Sequence, residues 1–165
     1  MKQRFLVYAM SVLLTTVVAA QTPKYGATAE AEKNVDFTKF KTYSWTKGQP
    51  SFYNSIDTKI ISSVDKELAA LGMSQASSGP GDVVVTYSSV TRTDVNLKAK
   101  ADPNGKQPQY SVGTLVVAFL DPGSRKRLLR LRIDKPIEAQ AEKVEAVIDE
   151  AIAEMFAKYP TRTKK

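Results

Sequence analysis

Six cations fall within eleven residues of this chain: Arg125, Lys126, Arg127, Arg130, Arg132 and Lys135. Cations at that density make an anion-binding strip, aimed at lipid phosphate, acidic glycan or a protein partner. The same charges also suit the solvated outer face of a strand, where they discourage edge-to-edge pairing, and that plainer role is the commoner one. Tyr43 and Trp45 offer a second chemistry. Two residues apart on an extended segment, they share a face, either as core anchors or as a stacking platform for a ring-shaped ligand. A lone strand-borne Trp more often buries its area inside. The carboxylates Asp82, Asp94, Asp121 and Asp134 sit at or near strand ends and turns, where Asp makes local hydrogen bonds. No two of them carry a spacing that marks a catalytic dyad, whose decisive separation is spatial.

Absent residue types narrow the chemistry further. The chain has no cysteine and no histidine, which excludes Cys/His zinc sites, Ser-His-Asp and Cys-His catalysis and any His general base. No disulfide and no thiol-linked lipid anchor can form. The turn cluster at residues 77–81, Ser-Ser-Gly-Pro-Gly, follows a helix and precedes a strand. That order is the reverse of a phosphate-cradling loop. No catalytic residue, metal site or cofactor is therefore assigned, and catalysis is not expected.

Residues 1–20 read as a secretory signal peptide. Lys2 and Arg4 precede an apolar run over 5–18, and Val18-Ala19-Ala20 supplies small residues at a cleavage site. The run is short for a membrane span; its other reading is an uncleaved anchor. Cleavage would leave 145 residues with 22 Lys+Arg against 17 Asp+Glu, a net charge of +5. The expected destination is the periplasm or the exterior, without a transmembrane helix after cleavage. Among partners for a modestly basic exported domain, an envelope protein, lipid or glycan is expected and nucleic acid is not.

The elements that must position these groups follow from patterning. Residues 21–34 read as a flexible leader, with a first edge strand as the alternative. Residues 40–45 suit a strand. Ile56, Ile60, Val64, Leu68 and Leu71 mark an amphipathic helix that starts at Asn54 or Ser55 and stops at Gly72. Residues 83–90 make a strand with a ragged continuation, and Asn104-Gly105 marks a tight turn in a polar loop over 98–109. Residues 113–133 fold as a hairpin about Asp121-Pro122-Gly123-Ser124. Its first strand is apolar on both faces, hence central and buried. Its second points Leu129, Leu131 and Ile133 inward and Arg130 and Arg132 outward. Pro136 should end that strand, and a long helix should fill 137–159 with acids on its polar face. Those acids and the basic strand have opposite charge patterns that would match across a homodimer.

Taken together, residues 36–45 (DFTKFKTYSW), 82–85 (DVVV) after a Gly-Met-ending helix, 113–117 (GTLVV) followed by Asp121, and the last helix running into Phe156 and Tyr159-Pro160 resemble a family of bacterial envelope proteins, domain of unknown function 4136 (DUF4136). The resemblance spans 35–160. It implies an exported, often lipid-anchored α+β domain with no assigned activity and no catalytic residues to carry over. This chain departs twice: the anchoring Cys is absent, and Leu129-Arg130 stands where relatives often carry Trp-Arg.

The expected organisation is a signal peptide (1–20), a leader (21–34), one α+β domain (35–160) and a basic tail (161–165). The domain should contain a largely antiparallel sheet in β-α-β-β-β-α order with two helices packed on one face. The expected function is a non-catalytic binding or structural domain of the envelope. The alternative is a carboxylate-dependent hydrolase or transferase acting on an envelope component.

Overall fold

The computed structural model describes residues 25–138 and 140–162. The expected signal segment and cleavage site, the first four leader residues and the last three of the basic tail lie outside the described residues. Six strands form one open sheet: β1 (Gly26–Ala31), β2 (Thr42–Trp45), β3 (Ser74–Gln75), β4 (Val83–Val95), β5 (Gln109–Leu120) and β6 (Arg127–Ile137). Helices α1 (Asn54–Ala70) and α2 (Ala141–Phe156) pack side by side on one face. Neither helix is long and apolar enough to cross a membrane.

The strand order is β1-β6-β5-β4-β2-β3, and the sheet is mixed rather than largely antiparallel. β1, β6, β5 and β4 pair antiparallel, whereas β2 runs parallel to both β4 and β3. The cause is α1. A helix between β2 and β4 carries the chain back to the end from which it started, so the next strand enters in the same direction. The element order also gains two strands over the expected one. The short β3 lies on one edge, and β1 lies on the other, inside the stretch read as a leader and in the edge-strand form that stretch left open.

The helix layer covers the face bearing Val83, Val85 and Tyr87 of β4, Leu115, Val117 and Phe119 of β5, and Leu129, Leu131 and Ile133 of β6. Ile56, Ile60, Val64 and Leu68 of α1 and Ile148, Ile152, Met155 and Phe156 of α2 close the core. α1 ends in a Schellman motif: Gly72 turns left-handed at φ +79°, its N–H reaches Ala69 O, and Met73 N–H reaches Leu68 O, with both Met73 and Leu68 buried. Its N-cap is Tyr53 rather than Asn54 or Ser55, and Asp57 in the first turn accepts the Ser51 N–H at 2.8 Å.

Two expectations about the hairpin change. β5 is central, but it is not buried throughout: Leu115, Val117 and Phe119 on the helix side are buried, whereas Val116, Ala118 and Leu120 on the other face are half-buried, since no helix covers that side. Pro136 does not stop β6, which runs on to Ile137, so α2 starts at Ala141. β6 bonds to β5 through its odd-numbered residues and to β1 through its even ones, and β1 ends opposite Asp134. Pro136 thus occupies an edge position where no N–H is required.

Candidate functional site

At the end of the molecule where both helices begin, the helix layer and the sheet stand apart. The sheet is lined there by Ser89 and Thr91 of β4 and Gly113 of β5, on the face that carries Val85, Tyr87 and Val117 further along. These residues are too small to fill the layer gap. The result is a cleft of about 530 Å³. Ile56 and Ile60 of α1 form one wall, Val144, Val147, Ile148 and Ala151 of α2 the other, and Leu115, Ile133 and Ile137 much of the floor. The row Thr91–Gly113–Lys135 runs straight across three strands at the open end. A Cβ on Gly113 would lie 3.2 Å from Ile137 Cδ1, so glycine keeps that floor low.

The rim is unusually apolar for a surface. Phe52 is 98 % exposed and Tyr53 52 % exposed, and Val147 joins them; all three line the cleft. Its polar members are Gln49, Ser51 and Lys135. Lys135 Nζ lies 2.9 Å from Glu154 and 3.4 Å from Glu150, and the Glu154 carboxylate raises the lysine pKa while its own is lowered by the ammonium. One cation facing two acids leaves this part of the rim with surplus negative charge.

The cations of the predicted basic strip have acids among them, and Lys135 leaves the strip for the helix side of the sheet. Glu30 of β1 meets Arg127 at 3.3 Å and Arg130 at 3.1 Å, and Glu32 meets Lys126 at 3.1 Å. Arg132 grips Asp134 through Nε at 2.6 Å and Nη2 at 2.9 Å. Arg125, in the turn at φ 60°, makes no ion pair among the described residues. Three acids of α2 likewise find cations within the chain: Glu150 and Glu154 at Lys135, Asp149 at Lys59.

Tyr43 is buried, and Trp45 packs half-buried against the core with its ring edge-on to Tyr87. Asp65 of α1 accepts from both, Tyr43 Oη at 2.7 Å and Trp45 Nε1 at 2.9 Å. Burial, then this carboxylate, pushes the Tyr43 pKa up. The pair is a helix-to-sheet clamp and lies outside the cleft lining.

Of the four strand-end carboxylates, Asp82 caps the start of β2 by accepting the Lys41 and Thr42 N–H groups, each at 2.8 Å, and Asp121 accepts the Ser124 N–H at 2.7 Å. Both are held below the usual carboxylate range by those backbone donors. Asp94 and Asp134 do converge, on the uncovered sheet face, with Arg92 between them. Arg92 donates to Asp134 at 2.7 Å, to Thr114 at 2.8 Å and to Asp94 at 3.0 Å. Arg132, then Thr114 and Arg92, hold the Asp134 pKa far below its ordinary value. Tyr25 donates to Asp94 at 3.1 Å and shares a short contact with the Tyr110 hydroxyl. No cluster of acids suited to a metal ion occurs among the described residues.

Sequence reasoning missed the cleft. The available signal was Gly113: glycine inside an otherwise apolar strand often marks a close approach of ligand or backbone.

Two solved structures share this arrangement. A PDZ domain protein from Parabacteroides distasonis superposes with a TM-score of 0.53 at 16 % identity, covering 86 % of this chain and 36 % of that one. The chain thus spans about a third of that protein's length. A PelC dodecamer subunit from Paraburkholderia phytofirmans superposes with a TM-score of 0.54 at 9 % identity, covering 84 % and 98 %. At such identities the likeness is one of fold. No curated protein matches the sequence. The family model described as Domain of unknown function (DUF4136) matches residues 28–161, which takes in most of β1 as well as the expected span, and the chain belongs to that family.

Proposed function

We propose that the protein is an exported envelope domain that binds the apolar chain of an amphiphile, without chemistry, in the cleft between the helices and the sheet. The observation that carries this reading is the cleft itself: about 530 Å³, walled by aliphatic side chains and rimmed by exposed Phe52, Tyr53 and Val147. That volume falls in the range of small-ligand sites, and apolar walls with few polar groups are their usual make-up. Each methylene moved from water contributes about 0.8 kcal/mol, so six buried methylenes contribute about 5 kcal/mol before immobilisation costs. The surplus of acid around Lys135 favours a neutral or zwitterionic headgroup over an anionic one. Export rests on the charged start, apolar run and small residues of 1–20. Against a carboxylate serving as general acid stand the acids whose pKa values shift. Asp36, Asp82, Asp121, Asp134, Asp149 and Glu154 are all lowered, whereas a general acid at neutral pH needs a raised one.

The test is a titration with alkyl maltosides and lysophosphatidylcholines of increasing chain length, each below its micellar concentration, followed by calorimetry. Affinity should rise with each methylene until the cleft is full. Ser89→Phe and Val144→Phe, which occupy it, should weaken binding about tenfold or more with the circular dichroism spectrum unchanged. Binding that ignores chain length, or that survives both substitutions, would overturn the reading. Fractionation of expressing cells checks export separately.

A further inference from the structure

β4 is longer than anything that covers its outer edge. β2 pairs with it only over Val83–Val85, and Gln49 extends that cover by donating to Tyr87 O at 3.0 Å and accepting from Ser89 N–H at 3.0 Å. Those bonds show which backbone groups face outward: the odd-numbered residues, because the even ones pair with β5. Beyond Ser89, Thr91 and Thr93 present outward N–H and C=O groups with no hydrogen-bond partner among the described residues, and so does the Val95 N–H. This edge carries no proline and no bulge, the usual guards. Exposed Val90, Val95 and Leu97 flank it.

The side chains along this edge are complementary to themselves. We propose that β4 pairs antiparallel with β4 of a second copy of this chain about a two-fold axis at Thr93. In that register Arg92 faces the partner's Asp94, and Asp94 faces the partner's Arg92, on the uncovered sheet face where both side chains already lie. A slip of two residues either way keeps the backbone bonds but sets Arg92 opposite Arg92 or Asp94 opposite Asp94, and like charges directly opposite each other destabilise a strand pair. The charges therefore select one register. Thr91 pairs with the partner's Val95, whose side chain falls on the helix side of the sheet. Thr91 lines the cleft, so each copy supplies an apolar residue to the rim of the other's cleft.

The contact is small, and a weak dimer is expected, so sedimentation should span about 10–500 µM. Thr93→Pro removes the outward N–H at the axis and no bond to β5. It should leave the monomer's thermal midpoint unchanged and weaken association about tenfold or more. Hydrogen-bonded residues on the axis lie about 5.5 Å apart between Cα atoms, within disulfide reach. Because the chain has no cysteine, Thr93→Cys should give an oxidised dimer. Thr91→Cys should cross-link with Val95→Cys and not with itself. A protein that stays monomeric throughout, a dimer that Thr93→Pro does not weaken, or cross-linking that ignores this register would each overturn the proposal.

Discussion

Asp65 shows how much one side chain can organise. A single carboxylate on α1 satisfies both a buried phenol and an indole on β2, fixing the helix against the parallel part of the sheet. Asp65→Ala would leave two donors without partners in a poorly hydrated layer, at a cost of about 2–3 kcal/mol in urea denaturation. Asp134 acts differently, through its charge. Its native pKa lies below the ordinary 3.8 because Arg132, Thr114 and Arg92 all favour the carboxylate. On acidification the unfolded chain takes the proton first, so this stabilisation is complete above about pH 4 and is lost as pH falls below that. Asp134→Asn should flatten the stability–pH curve between about pH 4 and 2 and lower stability at pH 7 by about 2 kcal/mol. That figure is modest because both arginines keep partial access to water.

Among the elements, α1 was legible down to its C-terminal Gly72, because amphipathic spacing and glycine caps act over a few residues. β1 and β3 were not. A six-residue polar edge strand and a two-residue strand carry no periodicity of their own, and both exist because a neighbour offers a free edge. β1 in turn explains the basic strip: Glu30 and Glu32 lie about a hundred residues away in sequence and arrive only through pairing with β6. The segment that covers part of the β4 edge depends on close backbone contact. A Cβ on Gly48 would stand 1.9 Å from the Tyr87 carbonyl oxygen and 2.6 Å from Thr86 Oγ1. Gly48→Ala should push this segment off β4, break the Gln49 bonds and cost about 3 kcal/mol by chemical denaturation. If stability held, the approach of this segment to β4 would have to be looser than described.

Across the whole molecule, packing is dense at one end and open at the other. Phe119, Phe156 and Tyr159 interlock with ring centroids 5.7–6.3 Å apart where the helices finish, while the cleft occupies the end where they begin. Equivalent truncations should register that gradient. Leu131→Ala, fully buried on β6 beneath the helices, should cost about 3–4 kcal/mol, and Val144→Ala on the cleft wall less than about 1 kcal/mol. Equal losses would mean that the cleft is closed in solution.

The chain's local patterns were enough to place α1, α2 and β4–β6, to orient Leu129, Leu131 and Ile133 inward, and to exclude histidine and cysteine chemistry. Each of those conclusions depends on residue type or on spacing within one element. The tertiary structure decided the rest: parallel pairing of β2, the acids among the arginines, Asp65 beneath Tyr43 and Trp45, and the gap above Gly113. These depend on which distant residues become neighbours. That is set by how the helix crossover returns the chain and how side-chain volumes fill the space between the layers, and no short window of sequence carries either.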